Sequence, residues 1–305
     1  MPEVPPIRYL LRHEIDDRLW NTCIDGAANG LIYGYSYYLD HMAGDWDGLV
    51  LGDYRAVMPL PWRKKWSIHY LYQPPLTAQL GVFGNGLTPL LFARFLQAVP
   101  AKFRYWDFSL NHQNVFSTEG FPLYQRKNFV LPLNQPYGIL WKGYRENIRR
   151  NIKKSRDYGC QVKKDVHPDQ VIDLVKFSGQ KGNAEDISGF AVLFQRLKDE
   201  GMACTYGIVS DKGDLLSSAV FLFSHQRAYY ILVGNHPNGR TLGASHALID
   251  AFIQDHAGKD MALDFEGSDI RNLAFFYSSF GAQEEVYPAI RLNRLPWWAK
   301  WLKEK

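Results

Sequence analysis

The feature that most constrains this chain is a pattern of elements that occurs twice. In the first pass the strand-like Gly48-Leu49-Val50-Leu51 leads through a Gly52-Asp53 turn to an apolar stretch at 55–60 and another at 68–72. A Gly-rich loop (Gly81, Gly84, Gly86), a helical stretch from Pro89 to Val99 and the strand Arg104-Tyr105-Trp106-Asp107-Phe108 complete it. In the second pass Thr205 to Ser210, a Gly213-Asp214 turn, Leu216 to Phe223 and Ala228 to Val233 come in the same order. They lead to a Gly-rich Asn238 to Gly243, a helix Ser245 to His256 and the strand Met261-Ala262-Leu263-Asp264-Phe265. The offsets barely drift: Asp53 to Asp214 is 161 positions, while Gly86 to Gly243 and Asp107 to Asp264 are each 157. Such self-similarity reads as a tandem duplication.

Three consecutive strands with short turns should pair antiparallel, and a helical crossover should return the next strand in parallel. The expected fold class is therefore α/β with mixed, mostly antiparallel sheets, one in each of two tandem domains and each flanked by helices. A chain of 305 residues, at about 150 per domain, has room for both. The expected limits are an N-terminal domain 1–133, a helical junction 134–160 and a C-terminal domain 161–305.

With 46% hydrophobic and 22% charged residues, a long disordered protein is excluded. Aromatics reach 15%, and such side chains fill cores or line ligand clefts. No apolar run is long enough for a membrane span, and the first residues are too proline-rich and acidic for a signal peptide. Cys23, Cys160 and Cys204 form no CxxC pair, and no glycosylation sequon occurs. The expected location is a reducing cytoplasm, with the cysteines as small core residues.

A formal net charge of +4 conceals one strongly basic element. Residues 142–164 hold nine Lys or Arg against Glu146 and Asp157, a local +7, so the remainder is mildly acidic. Tyr144, Ile148 and Ile152 recur every four residues as a narrow apolar stripe, and Gly159 is a natural helix stop. Arg145, Arg149, Lys153 and Arg156 run down one flank of this predicted helix, with Arg150 and Lys154 on the other. Two readings stand: a solvated charged face, or a surface that binds phosphates.

The segment Arg240-Thr241-Leu242-Gly243-Ala244-Ser245 precedes the second predicted helix. Its glycine allows close backbone approach, Ser245 can cap the helix, and a helix N-terminus attracts anions. It is either a cradle for a pyrophosphate or an ordinary strand-to-helix loop. Glu266 comes after a buried-looking strand, where a carboxylate can serve as a base; a capping or ion-pairing role is equally open. The nine histidines lack metal-ligand spacing, so no metal is expected. His236 and His246 flank the loop, either touching a ligand or serving as surface and capping residues.

On these residues the chain resembles the GNAT N-acyltransferases. Arg240 to Ser245 is similar to their Q/R-x-x-G-x-G/A signature, with Ser where the family has Gly or Ala. Phe276-Tyr277-Ser278-Ser279-Phe280-Gly281-Ala282 resembles their late helix, whose Tyr protonates a departing thiolate. The basic segment Arg145 to Gly159, and the stretch from Asp264 to Gly281, resemble the FemAB-like peptidyltransferases, built from two GNAT-like domains. No long charged coiled-coil insertion is present.

The resemblance implies an acyl or aminoacyl transferase with no covalent enzyme intermediate and no tightly bound cofactor. The donor, acyl-CoA or aminoacyl-tRNA, would be a co-substrate, and the acceptor an amine such as that of a peptidoglycan precursor. Arg240 to Ser245 would hold the donor phosphates, Glu266 would remove the ammonium proton and Tyr277 would stabilise the leaving group. Arg145, Arg149, Arg150, Lys153 and Lys154 would contact RNA or a phosphorylated acceptor. The Trp297-Trp298-Ala299-Lys300-Trp301 tail either docks on the second domain or meets a membrane surface. The alternative from another class is a catalytically silent module that binds a phosphorylated or glycan-like ligand.

Overall fold

Non-local strand pairing, more than chain order, sets the limits of the two units. In the computed structural model, which describes residues 5–177, 184–267 and 269–296, one unit comprises residues 1–126 with 286–305 and the other residues 127–285. The segment 134–160, expected as a junction, lies within the second unit, and the strand ending at Asn293 belongs mainly to the first. Boundaries at 133 and 161 follow the chain; those at 127 and 286 follow the sheets.

The first unit runs β1 (Ile7–Leu10), α1 (Asp17–Gly26), α2 (Ser36–Met42), β2 (Asp45–Leu51), β3 (Ala56–Lys65) and β4 (Ile68–Tyr72). It continues with β5 (Phe83–Gly84), α3 (Pro89–Ala98) and β6 (Phe103–Ser109). Short turns make β2, β3 and β4 antiparallel, and α3 carries the chain over so that β6 joins β4 in parallel. The start of α3 is written locally: the Thr88 hydroxyl accepts the Leu91 N–H, and Pro89 presets the first turn. Phe92, Phe95 and Leu96 then pack with Leu49, Met58, Leu60 and Trp106 to form this unit's core.

The second unit comprises β7 (Leu123–Pro132, from Lys127 onward), α4 (Tyr137–Gly143), α5 (Glu146–Asp157), β8 (Gln161–Lys164), α6 (Pro168–Phe177) and α7 (Ala184–Asp199). The repeat continues as β9 (Ala203–Val209), β10 (Leu215–Ser224), β11 (Arg227–Asn235), α8 (Pro237–Leu242), α9 (Ala244–His256) and β12 (Ala262–Asp264). After α10 (Arg271–Ser278), β13 (Gln283–Asn293) leaves this unit, and its residues 289–293 pair antiparallel with β6. In the second unit the sheet order is β7-β12-β11-β10-β9-β8, with only β11 and β12 parallel. One face is covered by α9, whose Leu248, Ile249, Phe252 and Ile253 meet Phe221, Tyr230, Leu263 and Phe265. Phe252 stacks on Phe221 at 3.8 Å between ring centroids.

The duplication is visible in the register. Each parallel pair ends with a Tyr opposite an Asp, Tyr72 with Asp107 and Tyr229 with Asp264, residues 157 positions apart. Cys160 and Cys204 pack against the second core. Burial pushes the thiols of Cys23 and Cys204 up, to about 11 and about 12. Among the described residues no helix is long and apolar enough to cross a membrane. The Trp/Lys tail at 297–303 lies outside the described residues.

Candidate active site

Parallel pairing between β11 and β12 lasts for three residue pairs, from Arg227 with Ala262 to Tyr229 with Asp264. Beyond it β12 stops while β11 runs on to Asn235, so a gap opens at the end of the pair. At the same place β11 carries a bulge: Val220 pairs with Leu232 and Phe221 with Tyr230, leaving Ile231 over. Backbone groups freed by such a bulge can face a ligand. The gap holds a cavity of about 490 Å³ bounded by Tyr230, Ile231, Val233 and Asn235 of β11 and by Phe276 and Tyr277 of α10. Arg240, Ser245, His246 and Glu266 complete its polar lining.

Glu266 reaches the cavity from an unusual backbone. Its φ is +62°, left-handed for a residue with a β-carbon, and Gly267 comes next at +83°. Such strain persists only where the surroundings impose it. Here the Glu266 N–H donates to Asp264 Oδ1 at 2.8 Å, and Asn128 Nδ2 donates to the same oxygen at 2.9 Å. The other Asp264 oxygen takes Arg227 Nη1 at 2.8 Å, while Arg227 also grips Glu285 at 2.6 and 3.0 Å. Burial disfavours the Arg227 charge, but the Glu285 hydrogen bond and the Asp264 and Glu285 charges outweigh it and strengthen its hold on the proton. Glu266 is thus set by a largely buried ionic clamp centred on Asp264.

Tyr277 is buried, stacked on Phe265 at 4.6 Å and edge-on to Tyr230. Burial, with a smaller effect of the Glu266 charge, pushes its phenol up to about 12. It keeps its proton at neutral pH and can give one. His246, in the first turn of α9, lies edge-on to Phe276 at 4.9 Å. Its Nδ1 is buried without a hydrogen-bond partner among the described residues, and burial pulls the imidazole down to about 4. At neutral pH it is uncharged.

Of the residues expected to hold donor phosphates, Arg240 and Ser245 line the cavity; Thr241, Leu242, Gly243 and Ala244 do not. The expected loop is largely helical: α8 occupies Pro237–Leu242, with the His236 side chain accepting the Asn238 N–H at its start. Ser245 does not cap α9, because Gly243, at φ +71°, is the cap and Ser245 lies inside the first turn. The glycines serve packing. A β-carbon on Gly243 would stand 2.5 Å from the Asn151 carbonyl of α5, and one on Gly239 2.3 Å from that of Leu216. Leu242 packs against the core and Ala244 is fully buried.

The basic helix forms as expected, with Ile148 and Ile152 buried and Gly159 at φ +72°. Its cations are distributed differently. Arg149, Arg150 and Lys153 line another cavity together with Arg156, so Arg150 shares a side with the residues assigned to the opposite flank. Arg145 precedes the helix and lies over the Phe275 ring at 4.8 Å, and Lys154 stands outside that cavity.

No family model and no curated protein matches the chain. Solved structures do. The crystal structure of FemX superposes with a TM-score of 0.68 at 13% identity, covering 98% of this chain and all of FemX. L-PGS from Bacillus licheniformis gives 0.59 at 13% identity, with 94% of this chain and 95% of that one covered. The fold is a FemX-like tandem GNAT fold. A tandem GNAT protein from the clavulanic acid biosynthesis pathway, solved without AcCoA, agrees at a TM-score of 0.52 and 12% identity, covering 95% of this chain and 99% of that one. In GNAT terms the cavity of this chain stands where the parallel strands of its second unit part. Of the two histidines flanking the loop, each read as either touching a ligand or serving as a surface or capping residue, His246 lines the cavity and His236 caps α8.

Proposed function

We propose that the chain transfers an acyl or aminoacyl group from an activated ester or thioester to an amine, in the cavity of the second unit. The observation that carries this is the convergence of Glu266, Tyr277, His246, Arg240 and Ser245 on one gap beside a bulged strand. A proton acceptor, a proton donor and free backbone are what aminolysis needs. Glu266 takes a proton from the acceptor ammonium, and the freed amine attacks the donor carbonyl. Backbone N–H groups at the Ile231 bulge stabilise the oxyanion. As the tetrahedral centre collapses, the carbon–oxygen or carbon–sulfur bond breaks and Tyr277 protonates the leaving group. The phenolate recovers its proton from the new amide nitrogen, which balances the step.

The local structure favours aminoacyl-tRNA over acyl-CoA as donor. A Gly-rich pyrophosphate loop presents its own backbone N–H groups to the ligand alongside those of the helix it opens. Here 237–242 is helical and Gly243 is pressed against α5. The resemblance to FemAB-like proteins points to an amine of a cell-wall precursor as acceptor, and to the cytoplasm as the place of reaction.

Parallel assays of labelled acyl-CoAs and charged tRNA with amine acceptors test the reading. Transfer from charged tRNA, lost in Glu266→Gln, is the expected result. Donor binding without turnover, unaffected by Glu266→Gln and Tyr277→Phe, would instead establish a silent binding module.

A further inference from the structure

The cavity assigned to the reaction is polarised by two charges. Arg240 and Glu266 are the charged side chains of its described lining, since burial keeps His246 neutral, and the rest is hydroxyl, amide, aromatic or aliphatic. Glu266 is committed to the ammonium in the reading above; Arg240 has no task in it. The resemblance to GNAT enzymes would give Arg240 the donor phosphates, in concert with the backbone N–H groups that follow it. Here 237–242 is helical, and Gly243 is pressed against the Asn151 carbonyl. A guanidinium is left at the rim of the cavity, exposed and with no ion pair among the described residues.

Two neutral donors line the cavity with it. Asn235 ends β11 and pairs there with Ser217 of β10. The buried Ser217 hydroxyl donates to Asn235 Oδ1 at 2.7 Å, so the carbonyl end of the amide is taken and its NH2 is what Asn235 offers a ligand. Ser245 adds a hydroxyl from the first turn of α9. A guanidinium fork, an amide NH2 and a hydroxyl suit the two oxygens of a carboxylate.

We infer that Arg240, with Asn235 and Ser245, binds a carboxylate carried by the acceptor, whose class is then an amine with a carboxylate of its own, a free amino acid being the smallest case. The inference rests on the transfer reading for the role of Glu266. Phosphate oxygens could meet the same donors, but one guanidinium matches the single charge of a carboxylate and leaves a phosphate dianion half neutralised. A site built to hydrogen-bond a group rejects the analogue that lacks it, because its own donors are then left unpaired.

Steady-state transfer and calorimetric titration of the full chain with lysine, with cadaverine, which is lysine without its carboxylate, and with O-phosphoethanolamine test it. Lysine should bind about tenfold or more tighter than either. Arg240→Gln should raise KM and Kd for lysine about tenfold or more without weakening cadaverine, which erases the preference. Arg240→Lys, a charge without the fork, should restore part of it, and Asn235→Asp, a like charge beside the carboxylate, should abolish it. Titration with charged tRNA or acyl-CoA should give the same affinity for the wild type and Arg240→Gln. Lysine preferred in titration but never acylated supports the carboxylate site and overturns the transfer reading. Turnover with equal KM for lysine and cadaverine keeps the transfer reading and overturns this inference. It is also overturned by phosphoethanolamine binding as tightly as lysine, or by loss of donor binding in Arg240→Gln with the lysine preference intact.

Discussion

The two units share one programme and differ at one place. Each lays a parallel pair of strands that ends on a Tyr facing an Asp, and the residues just beyond that pair decide whether a cavity forms. In the second unit β11 runs past that point with a bulge, and the gap stays open. In the first unit β4 ends at Tyr72, and the next residue, Gln73, turns its side chain into the gap, accepting the Ser109 N–H at 2.7 Å. Gln79 accepts the His112 N–H at 2.7 Å, and Leu80 donates to the Ser109 carbonyl, adding a bridge between Leu80 and Leu110. Side-chain amides have closed what the sister unit leaves for a ligand. Ser109 stands at the position equivalent, by the offset of 157, to Glu266, so the first copy also lacks the carboxylate. A duplicated fold can keep its scaffold while one copy loses its opening.

This contrast is open to direct attack. The largest effect is expected from Glu266→Gln, which should lower kcat by about 10²–10⁴-fold in a transfer assay with stability unchanged. An equal loss from Gln73→Ala would erase the distinction between the units. Tyr277→Phe should cost about 10² in kcat, with donor affinity retained in equilibrium binding. Arg227→Met leaves the buried Asp264 carboxylate, and the partly exposed Glu285, without their cation; unfolding in urea should show a loss of about 3–5 kcal/mol, most of it from Asp264. It should also slow transfer, because the clamp that sets Glu266 is gone. Gln73→Ala should cost about 1–3 kcal/mol, the penalty for an unsatisfied buried N–H, and leave kcat as it was.

The last effect concerns acid. Burial holds His246 at about 4 in the folded chain against 6.5 for the free side chain. Between those values the unfolded chain binds the proton and the folded one does not, so stability is fully present above pH 6.5 and falls as pH drops toward 4. Thermal melts should decline across that window, by about 2–4 °C per kcal/mol lost. His246→Gln should flatten part of the decline.

Much of this was legible in the sequence because it is local. Turn glycines, the Thr88-Pro89 start of α3 and the stripe of Ile148 and Ile152 act over a few residues, and the order of elements follows from them. That Arg240, Ser245, Glu266 and Tyr277 belong to one site came from the resemblance to GNAT acyltransferases, and only Glu266 was marked out by its place after a strand. What was hidden depends on contacts between distant segments. A Gly at 243 reads as room for a phosphate until Asn151 is seen against it, and Pro237, a first-turn residue of a helix, went unweighed beside three glycines. Glu266 carries no sign of its left-handed backbone, because the cause is a carboxylate two residues earlier and an arginine on another strand. The limits of the units were hidden for the same reason, since β13 finds its partner β6 from far along the chain.

That last pairing has a consequence for biosynthesis. The edge of β6 that β13 covers stays vacant until the whole of the second unit has emerged, whereas every strand of the second unit's own sheet, from β7 to β12, is available by then. During translation domains fold as their segments appear. The half of the molecule that is made first is therefore completed last, and the half with the open cavity can be in place while its sister still waits for a strand.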